Sequence, residues 1–581
     1  MLMTRDELNK FSEEADQHIL NRDYGSLMKL IERLTKRDFD FEHRLYEAHY
    51  FYTLANCYSV LYEARKIEWY SDDLMKAVIF YRQALHSIPE FDWEEDVNNI
   101  HAYENLRSMV LTNLANCLSS QGRAFCCIPL YDQAISINNK VEAIASKARN
   151  QLFLGESLYD NGHKEYHYLV AYHLINEAID NIDQLYPEHR IDLEGEGYLL
   201  RFKKWFEQTF EVSAFDYFKD ESDNNESKKQ MQYLQWCAKN TLFINDLNDV
   251  CKYEICYQDV LTLPSFIRTI NTSLNMHEQL AYHGNFDELK NDYCYARYLI
   301  FSAENIPNDT PHFFNSTYQH VDDMSHSIDN LKIGHYKSAF RILYSLFDKL
   351  AYFMSRFLDL NELKDDNMIS IDNLFRDFKG KNWKKDWKPH KKLKDNDNHF
   401  IHALFYILKD IRDVTNSTSV SKWIDPDAKA FAEIRNAMEH RSLKIVDDFG
   451  YKLTQSYNDY HEGELNKIKQ EVVKIQDQLK EVYNAQKQAK KDGSGSLLKQ
   501  LEEQKNSLNS EVSNLESKIH EKEKLSSHTL LIPISQFESR LITLIKLARN
   551  SIMYLSLALH FEEKKRPNEG LYLPMGVPLK D

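Results

Sequence analysis

The sequence predicts an all-α protein of several domains, and three observations support that fold class. Gly and Pro are scarce, with 15 and 12 residues in a chain of 581, whereas charged residues make up 28%. This composition favours long helices over turn-rich sheets. Apolar residues recur at three- and four-residue steps in several segments, as in amphipathic helices. Towards the C-terminal part of the chain, apolar residues follow a heptad pattern, which predicts a coiled coil.

Short sequence motifs that recur in the first 190 residues predict a helical repeat domain. Residues 54–58 (LANCY) recur as 114–118 (LANCL), and residues 81–85 (YRQAL) recur as 131–135 (YDQAI). With Gly122 turning the chain between two helices, this pattern resembles tetratricopeptide repeats, which stack into a curved solenoid and usually bind proteins. A generic helical bundle is the alternative, because insertions spoil the strict period. Residues 191–325 contain no recognisable catalytic or binding motif, and we expect a helical connecting platform there.

The remaining domain, residues 326–581, is predicted to be built on a four-helix bundle. Apolar stripes define helices over residues 339–357 and 400–413. Asp425-Pro426-Asp427 gives a start signal for a third helix over residues 428–441. A fourth, over residues 537–561, is apolar enough to be largely buried. Together these segments predict a bundle.

An antiparallel coiled-coil hairpin is predicted as an insertion at residues 462–526. Its heptad seam runs out and returns around a turn at residues 492–496. The seam consists of Leu465, Ile468, Val472, Ile475, Leu479, Val482, Leu498, Leu501, Leu508, Val512, Leu515 and Ile519. Short strands, 443–446 against 529–532, are expected to close its base. The arm either serves dimerisation or target sensing, or is a passive spacer.

Composition also narrows the class of protein. The start of the chain lacks the apolar stretch of a signal peptide, and no apolar run suggests a membrane span. The eight cysteines show no CxxC pair and no zinc spacing, which favours reduced thiols. We therefore expect a cytoplasmic protein with no membrane partner, no cofactor and no metal. The net charge of −17 would repel nucleic acid, so any RNA contact has to be local.

One such local segment is strongly basic. Residues 376–394 contain nine Lys or Arg residues against two Asp. Cations beside aromatic faces are typical of single-stranded nucleic-acid binding, and the candidate contacts are Trp383, Lys384, Lys385, Trp387 and Lys388. The alternative is a solvated loop whose tryptophans pack back onto the protein.

The candidate catalytic motif is Arg435-Asn436-Ala437-Met438-Glu439-His440 on the third bundle helix. Histidine can take and return a proton near neutral pH, and arginine matches the oxygens of a phosphoryl group. The Arg-x4-His spacing alone is weak, since it also occurs at Arg44 and His49, where an apolar Leu follows the arginine. The amide of Asn436 and the bundle context distinguish the second motif.

With this motif, residues from about 326 to 562 resemble a HEPN domain, in a prokaryotic defence-type branch with N-terminal tetratricopeptide-like repeats. The resemblance implies a metal-independent endoribonuclease that acts as a homodimer through the HEPN bundle, often as a toxin or abortive-infection effector in antiviral defence. It implies that Arg435 and His440 are catalytic and that Asn436 supports them. Arg441 joins the basic segment as a candidate RNA contact. A protein trigger or inhibitor would bind the solenoid.

A second hypothesis assigns the chain to a different class of protein. The bundle would be a degenerate HEPN unit in a non-catalytic adaptor that binds protein partners or RNA, and His440 would be a partly buried bundle residue. Cleavage of RNA in EDTA, lost on replacing Arg435 or His440, separates the two hypotheses.

Overall fold

The computed structural model describes residues 2–35, 39–65, 68–88, 100–215, 227–264, 276–309, 311–322, 324–360, 369, 374, 390–411, 426–491, 495–526 and 529–565. The chain divides into two compact units, each assembled from separated stretches of sequence. The first comprises Met1–Phe301, Ala339–Ala432 and Thr543–Asp581, and the second comprises Ser302–Ser338 and Glu433–Ile542.

The N-terminal part of the first unit is a series of helices. They are α1 (Arg5–Leu20), α2 (Tyr24–Thr35), α3 (Arg44–Arg65), α4 (Asp72–Ser87), α5 (Ile100–Ser120), α6 (Ala124–Asn138), α7 (Val141–Ser157), α8 (Asn161–Asp180), α9 (Tyr198–Thr209) and α10 (Lys228–Lys239). Helix α3 packs on α4, α5 on α6 and α7 on α8. Strands β1 (Leu2–Met3) and β2 (Asp40–Phe41) form a small parallel pair. The all-α class is thus confirmed, while the tetratricopeptide-like identity of the pairs stays a prediction.

Gly122 makes the turn between α5 and α6, as its sequence position predicts. Its φ is +77°, a left-handed conformation that glycine adopts without steric cost. A Cβ at this position would lie 2.0 Å from the backbone carbonyl oxygen of His399. Glycine is therefore required here both for the turn and for the close approach of a second backbone.

The bundle helices follow further along the chain. They are α11 (Met276–Glu304), α12 (Leu331–Phe357), the short α13 (Lys391–Lys394), α14 (His399–Ile411), α15 (Pro426–His440) and, after the hairpin, α18 (Ile534–Lys564). The predicted stripe of α12 is buried, with Leu343, Leu346 and Leu350 each 0% exposed. Within the first unit the Phe340 and Phe431 rings lie 6.4 Å apart and the Phe400 and Tyr554 rings 6.1 Å apart. The predicted helical bundle is confirmed.

Helix α18 departs from one sequence expectation. It is long and apolar enough to qualify as a membrane span by length and hydropathy, although the sequence analysis found no such run. Of its most apolar window, 78% is buried inside the protein. A core helix of a bundle needs the same all-round apolar surface as a span, which explains why the two look alike.

The second unit contains the hairpin and a short sheet. Helices α16 (Asp448–Lys491) and α17 (Gly495–Ser526) pack along the predicted seam, where Val472, Ile475 and Leu479 are buried. Gln486 Nε2 donates to Glu502 Oε2 at 2.7 Å, and Lys505 Nζ lies 5.0 Å from the Tyr483 ring centre. These pairings match an antiparallel hairpin, because the residue numbers rise on one arm as they fall on the other.

The predicted strand pair at the base of the hairpin is present. Strand β3 (Ser442–Val446) pairs with β4 (Thr529–Pro533), with Leu443 opposite Leu530 and Ile445 opposite Ile532. The two strands run parallel. The hairpin between them therefore serves as the crossover connection that a parallel pair requires.

Candidate functional site: an Arg-Asn-x3-His motif on a helix end

The motif occupies the last turns of α15, and the helix separates its side chains into two groups. Ile434 is 0% exposed and Ala437 is 3% exposed, so these residues belong to the buried face. Asn436 and His440 are exposed and Arg435 is partly exposed. The polar members of the motif are thus reachable from solvent, because the apolar stripe of the helix uses the other positions.

Within the motif the arginine and the amide are in direct contact. Arg435 Nη1 donates a hydrogen bond to Asn436 Oδ1 at 3.2 Å. Among the described residues, Arg435 has no ion-pair partner and His440 has neither a hydrogen bond nor an ion pair. Asn436 therefore restrains the guanidinium without neutralising it. The charge of Arg435 remains available for an anionic ligand.

A small sheet anchors the chain directly after the motif. Ile328 donates its backbone N–H to the carbonyl of Ile445 at 2.9 Å, and Lys337 Nζ donates to the carbonyl of Leu443 at 2.9 Å. Strand β3 is thus held on one edge by β4 and on the other by residues around 327. These contacts lie inside the second unit and begin two residues after His440, so they hold the chain in place directly after the motif.

A tight contact supports the same region. Gly450, near the start of α16, packs on His326, and a Cβ at Gly450 would lie 2.4 Å from His326 Cβ. The backbone N–H of Asp447 donates to the carbonyl of His326 at 3.0 Å. Sequence analysis singled out neither residue. A glycine in the first turn of a long amphipathic helix was the available signal, because glycine weakens a helix unless it has a packing role.

The other predicted site residues fall into two groups. Arg441 is exposed directly after the helix, and its backbone N–H donates to the carbonyl of Ala437 at 3.1 Å. The proposed RNA contacts Trp383, Lys384, Lys385, Trp387 and Lys388 lie outside the described residues. In the part of the chain that the structure describes, no group of three or more His, Cys, Asp or Glu side chains is arranged to hold a metal ion.

The comparison with known families bears on the same segment. Residues 273–472 match the LA2681-like HEPN family, about a third of the chain, and the matched range includes the whole motif from Arg435 to His440. The chain carries a HEPN domain. The match begins upstream of residue 326, so it also takes in α11. No curated protein and no solved structure matches this chain.

Membership in the HEPN superfamily is therefore confirmed, as is the helical fold of the domain. The family match by itself leaves catalysis as a proposal. It also says nothing about the repeats in the first 190 residues, about oligomeric state or about a role in defence, all of which stay predictions.

Sequence analysis missed a set of buried and partly buried charges in the first unit. Asp410, at the end of α14, accepts hydrogen bonds from Arg82 and from Arg123. Arg549, on α18, is 1% exposed and forms an ion pair with Asp249 at 2.6 Å. The available signal in each case was a charged residue in a helix rich in apolar residues, because charged side chains are rarely buried without a partner.

Proposed function

We propose that the HEPN domain is a metal-independent endoribonuclease whose catalytic side chains are Arg435 and His440, with Asn436 supporting the arginine. The observation that carries the proposal is the accessibility of this trio. All three lie on the end of one helix, and Arg435 is held by Asn436 with its charge uncompensated among the described residues. A motif that had lost its function could have packed its histidine into the bundle.

The two side chains supply complementary chemistry. His440 would accept the proton of a ribose 2′-hydroxyl as that oxygen attacks the adjacent phosphorus, or would donate a proton to the departing 5′-oxygen. Arg435 would stabilise the negative charge that accumulates on the phosphorane oxygens. The P–O5′ bond breaks as the P–O2′ bond forms. The products are a 2′,3′-cyclic phosphate and a free 5′-hydroxyl.

A second copy of the chain would complete the site. Arg435 and His440 are five positions apart, which separates them by roughly 140° around a helix of about 3.6 residues per turn. One α15 therefore presents them in different directions. Two facing copies would place the arginine of each protomer across a groove from the histidine of its partner.

Exposed apolar side chains in the second unit favour such self-association. Phe313 is 80% exposed, Val321 is 90% exposed and Phe449 is 71% exposed. Apolar side chains that are this exposed are available for contacts with a second copy of the chain. We infer that the homodimer interface uses this unit, and that the HEPN bundle contributes to it.

The decisive experiment is RNA cleavage by the full-length protein in EDTA. Wild type is expected to cut total RNA, and Arg435→Ala and His440→Ala are expected to lose at least about 100-fold in rate, because general acid–base catalysis alone contributes that much. The matched control is Arg44→Ala, which removes the arginine of the other Arg-x4-His pair and should cut as wild type does. Equal cleavage by all the variants would exclude this site.

The nature of the substrate gives a second test. Oligonucleotides with a 2′-deoxyribose at the scissile position should resist, because the attacking hydroxyl is absent. RNA fragments should carry 2′,3′-cyclic phosphate ends, detectable by mass spectrometry. Cleavage of DNA at a similar rate would contradict the proposed mechanism.

The wider role follows from the same chemistry. A ribonuclease that stays inactive until a partner binds its repeats would serve as a toxin in antiviral defence. Arg441 and the basic tryptophan-containing segment would contact the RNA. Overexpression should then arrest growth, and His440→Ala should relieve the arrest. If wild type neither cuts RNA nor arrests growth, the chain is better explained as a non-catalytic adaptor.

A further inference from the structure

A cavity of about 390 Å³ lies within the first unit, and none of the residues that line it belongs to the motif on α15. Its walls come from the N-terminal helices, through residues such as Arg82 and Arg123, and from the bundle helices α14, α15 and α18. Cavities of about 300–1,000 Å³ are the usual size of small-molecule sites. Nothing in the proposed ribonuclease mechanism uses this cavity.

The charges that line the cavity are predominantly positive. Four basic side chains face two acidic ones, namely Arg82, Arg123, Lys546 and Arg549 against Asp249 and Asp410. The excess of two positive charges contrasts with the net charge of −17 for the whole chain. A local excess of this kind in a concave site attracts anions.

Hydrogen bonds to Asp410 hold two of these arginines in place. Asp410 accepts from Arg82 Nη2 at 2.8 Å and from Arg123 Nη1 at 2.6 Å, so one carboxylate serves two guanidinium groups. Arg123 is 2% exposed, and its Nε is buried without a hydrogen-bond partner in the described structure. Two guanidinium groups, that of Arg123 buried and that of Arg82 partly buried, share one carboxylate, which leaves a surplus of positive charge.

Among the basic residues that line the cavity, Lys546 is the one for which the described residues supply no direct partner. It lines the same cavity on α18, is partly buried, and forms no hydrogen bond or ion pair with any described residue. Burial lowers the pKa of Lys546, and the neighbouring Arg549 lowers it further, whereas Asp249 opposes the shift. An anion bound beside Lys546 would supply the missing countercharge.

The remaining wall is apolar. Phe125 and Phe431, each 1% exposed, line the cavity together with Leu114 and Leu118. Inorganic phosphate would leave this wall without a contact. An organic phosphate with an aromatic or apolar body would use both halves of the cavity, because the body would pack on the apolar wall and the phosphate would face Lys546.

We propose that this cavity binds a small organic phosphate with an aromatic body, held by Lys546 and the Arg82–Asp410–Arg123 cluster. The ligand would contact repeat helices and bundle helices at once, which makes it a candidate effector. The proposal is independent of RNA cleavage, because none of the cavity residues belongs to the motif.

Calorimetric titration of the full-length protein tests this proposal with AMP, ATP and pyridoxal phosphate as probes, beside orthophosphate and adenosine. At least one of the three aromatic phosphates is expected to bind at least about tenfold more tightly than orthophosphate or adenosine. Failure of all three to bind would overturn the proposal. Equal affinity for orthophosphate would overturn the assignment of an aromatic body.

Three variants locate the binding. Lys546→Gln should weaken affinity about tenfold or more, as expected on losing a hydrogen bond between charged groups. Gln133→Trp, at an exposed position of the cavity lining, should block entry by bulk alone. Lys564→Gln, an exposed lysine on the same helix, should bind as wild type does. Unchanged affinity in both Lys546→Gln and Gln133→Trp would place the ligand elsewhere and contradict the proposal.

Discussion

Arg123 Nη1 lies 2.6 Å from Asp410 Oδ2, so a guanidinium at the start of α6 has its countercharge at the end of α14. The two residues are 287 positions apart in the chain. Arg123 is 2% exposed, and Asp410 also pairs with Arg82. This contact joins an N-terminal helix to a bundle helix within the first unit by a partly buried, charge-assisted hydrogen bond.

We expect Asp410→Asn to destabilise the protein by about 3 kcal/mol, because removing one partner leaves buried charge uncompensated. Denaturant unfolding of the full-length protein would show an earlier transition. Asp397→Asn is the matched control, since Asp397 is 74% exposed in its pair with Lys565 and such surface pairs contribute about 0–1 kcal/mol. Equal stability of the Asp410 variant and wild type would mean that the cluster adds nothing to folding.

The same carboxyl predicts how acid acts on the first unit. Burial opposes ionisation of Asp410, but the charges of Arg82 and Arg123 outweigh burial and lower its pKa to about 2. A carboxyl whose folded pKa is depressed stabilises the protein above its unfolded pKa, which is about 4. That contribution is lost as the pH falls from about 4 towards 2. The stability difference between wild type and Asp410→Asn should therefore be constant above about pH 5 and shrink below about pH 4.

Gly122→Ala should be strongly destabilising. A non-glycine residue at a φ of +77° costs about 1–2 kcal/mol, and the added Cβ would lie 2.0 Å from the carbonyl oxygen of His399, so backbone would have to move. Thermal unfolding should show a clear fall in midpoint. Gly284→Ala is the control, because Gly284 is exposed within α11 with nothing near its Cβ, and there alanine should stabilise by about 0.5–1 kcal/mol. Similar effects of the two substitutions would refute the steric argument.

A partly buried histidine–carboxylate pair predicts a loss of stability at alkaline pH. His163 Nδ1 lies 2.8 Å from Asp246 Oδ1, and Asp246 is 1% exposed. Burial lowers the pKa of His163, but its hydrogen bond and charge interaction with Asp246 prevail and raise it above the ordinary value. A raised folded pKa stabilises fully below the unfolded pKa, about 6.5, and this stabilisation is lost as the pH rises through the folded pKa.

The difference in unfolding free energy between wild type and His163→Gln should therefore be largest near pH 6 and decrease at higher pH. Equilibrium unfolding at a series of pH values measures it. His189→Gln, at an exposed histidine, should show no such trend. A difference that grows with pH would reverse the assigned sign and exclude the pair as its cause.

The proposed homodimer predicts that polar substitutions in the second unit separate the protomers. Phe313→Asp and Val321→Asp replace apolar side chains that are 80% and 90% exposed, so they should leave the fold intact. Sedimentation velocity should show a shift from dimer to monomer, with loss of RNA cleavage. Leu20→Asp, at a residue 81% exposed on α1, is the control and should remain dimeric. A wild type that sediments as a monomer at the concentration where it cuts RNA would refute the composite site.

The helices could be predicted because their signal is local. The apolar residues of the α12 stripe and of the α16–α17 seam recur at helical spacing, and Pro426 marks the start of α15. Each of these signals lies where the structure has a helix. The pairing of β3 with β4 was also predictable, because two short apolar runs flank the hairpin. Their parallel direction was not, since it depends on how the chain returns from the hairpin.

The candidate site was only partly predictable. The order of Arg435, Asn436 and His440 identifies the motif, and the helical period predicts which residue shares a face with which. Whether the motif faces solvent depends on what packs against Ile434 and Ala437, which sequence spacing does not reveal. The contact between Gly450 and His326 joins segments more than 120 residues apart, and no local pattern marks it.

By itself, then, the sequence determined the helical class, the hairpin and the HEPN motif, because each is written in spacings of three, four or seven residues. Only the tertiary structure decided that Arg82, Arg123, Lys546 and Arg549 line one cavity, and that Arg435 and His440 remain accessible. The physical reason is that burial and charge pairing arise between residues far apart in the chain. Such contacts follow from how the helices pack, which the period of any single helix does not specify.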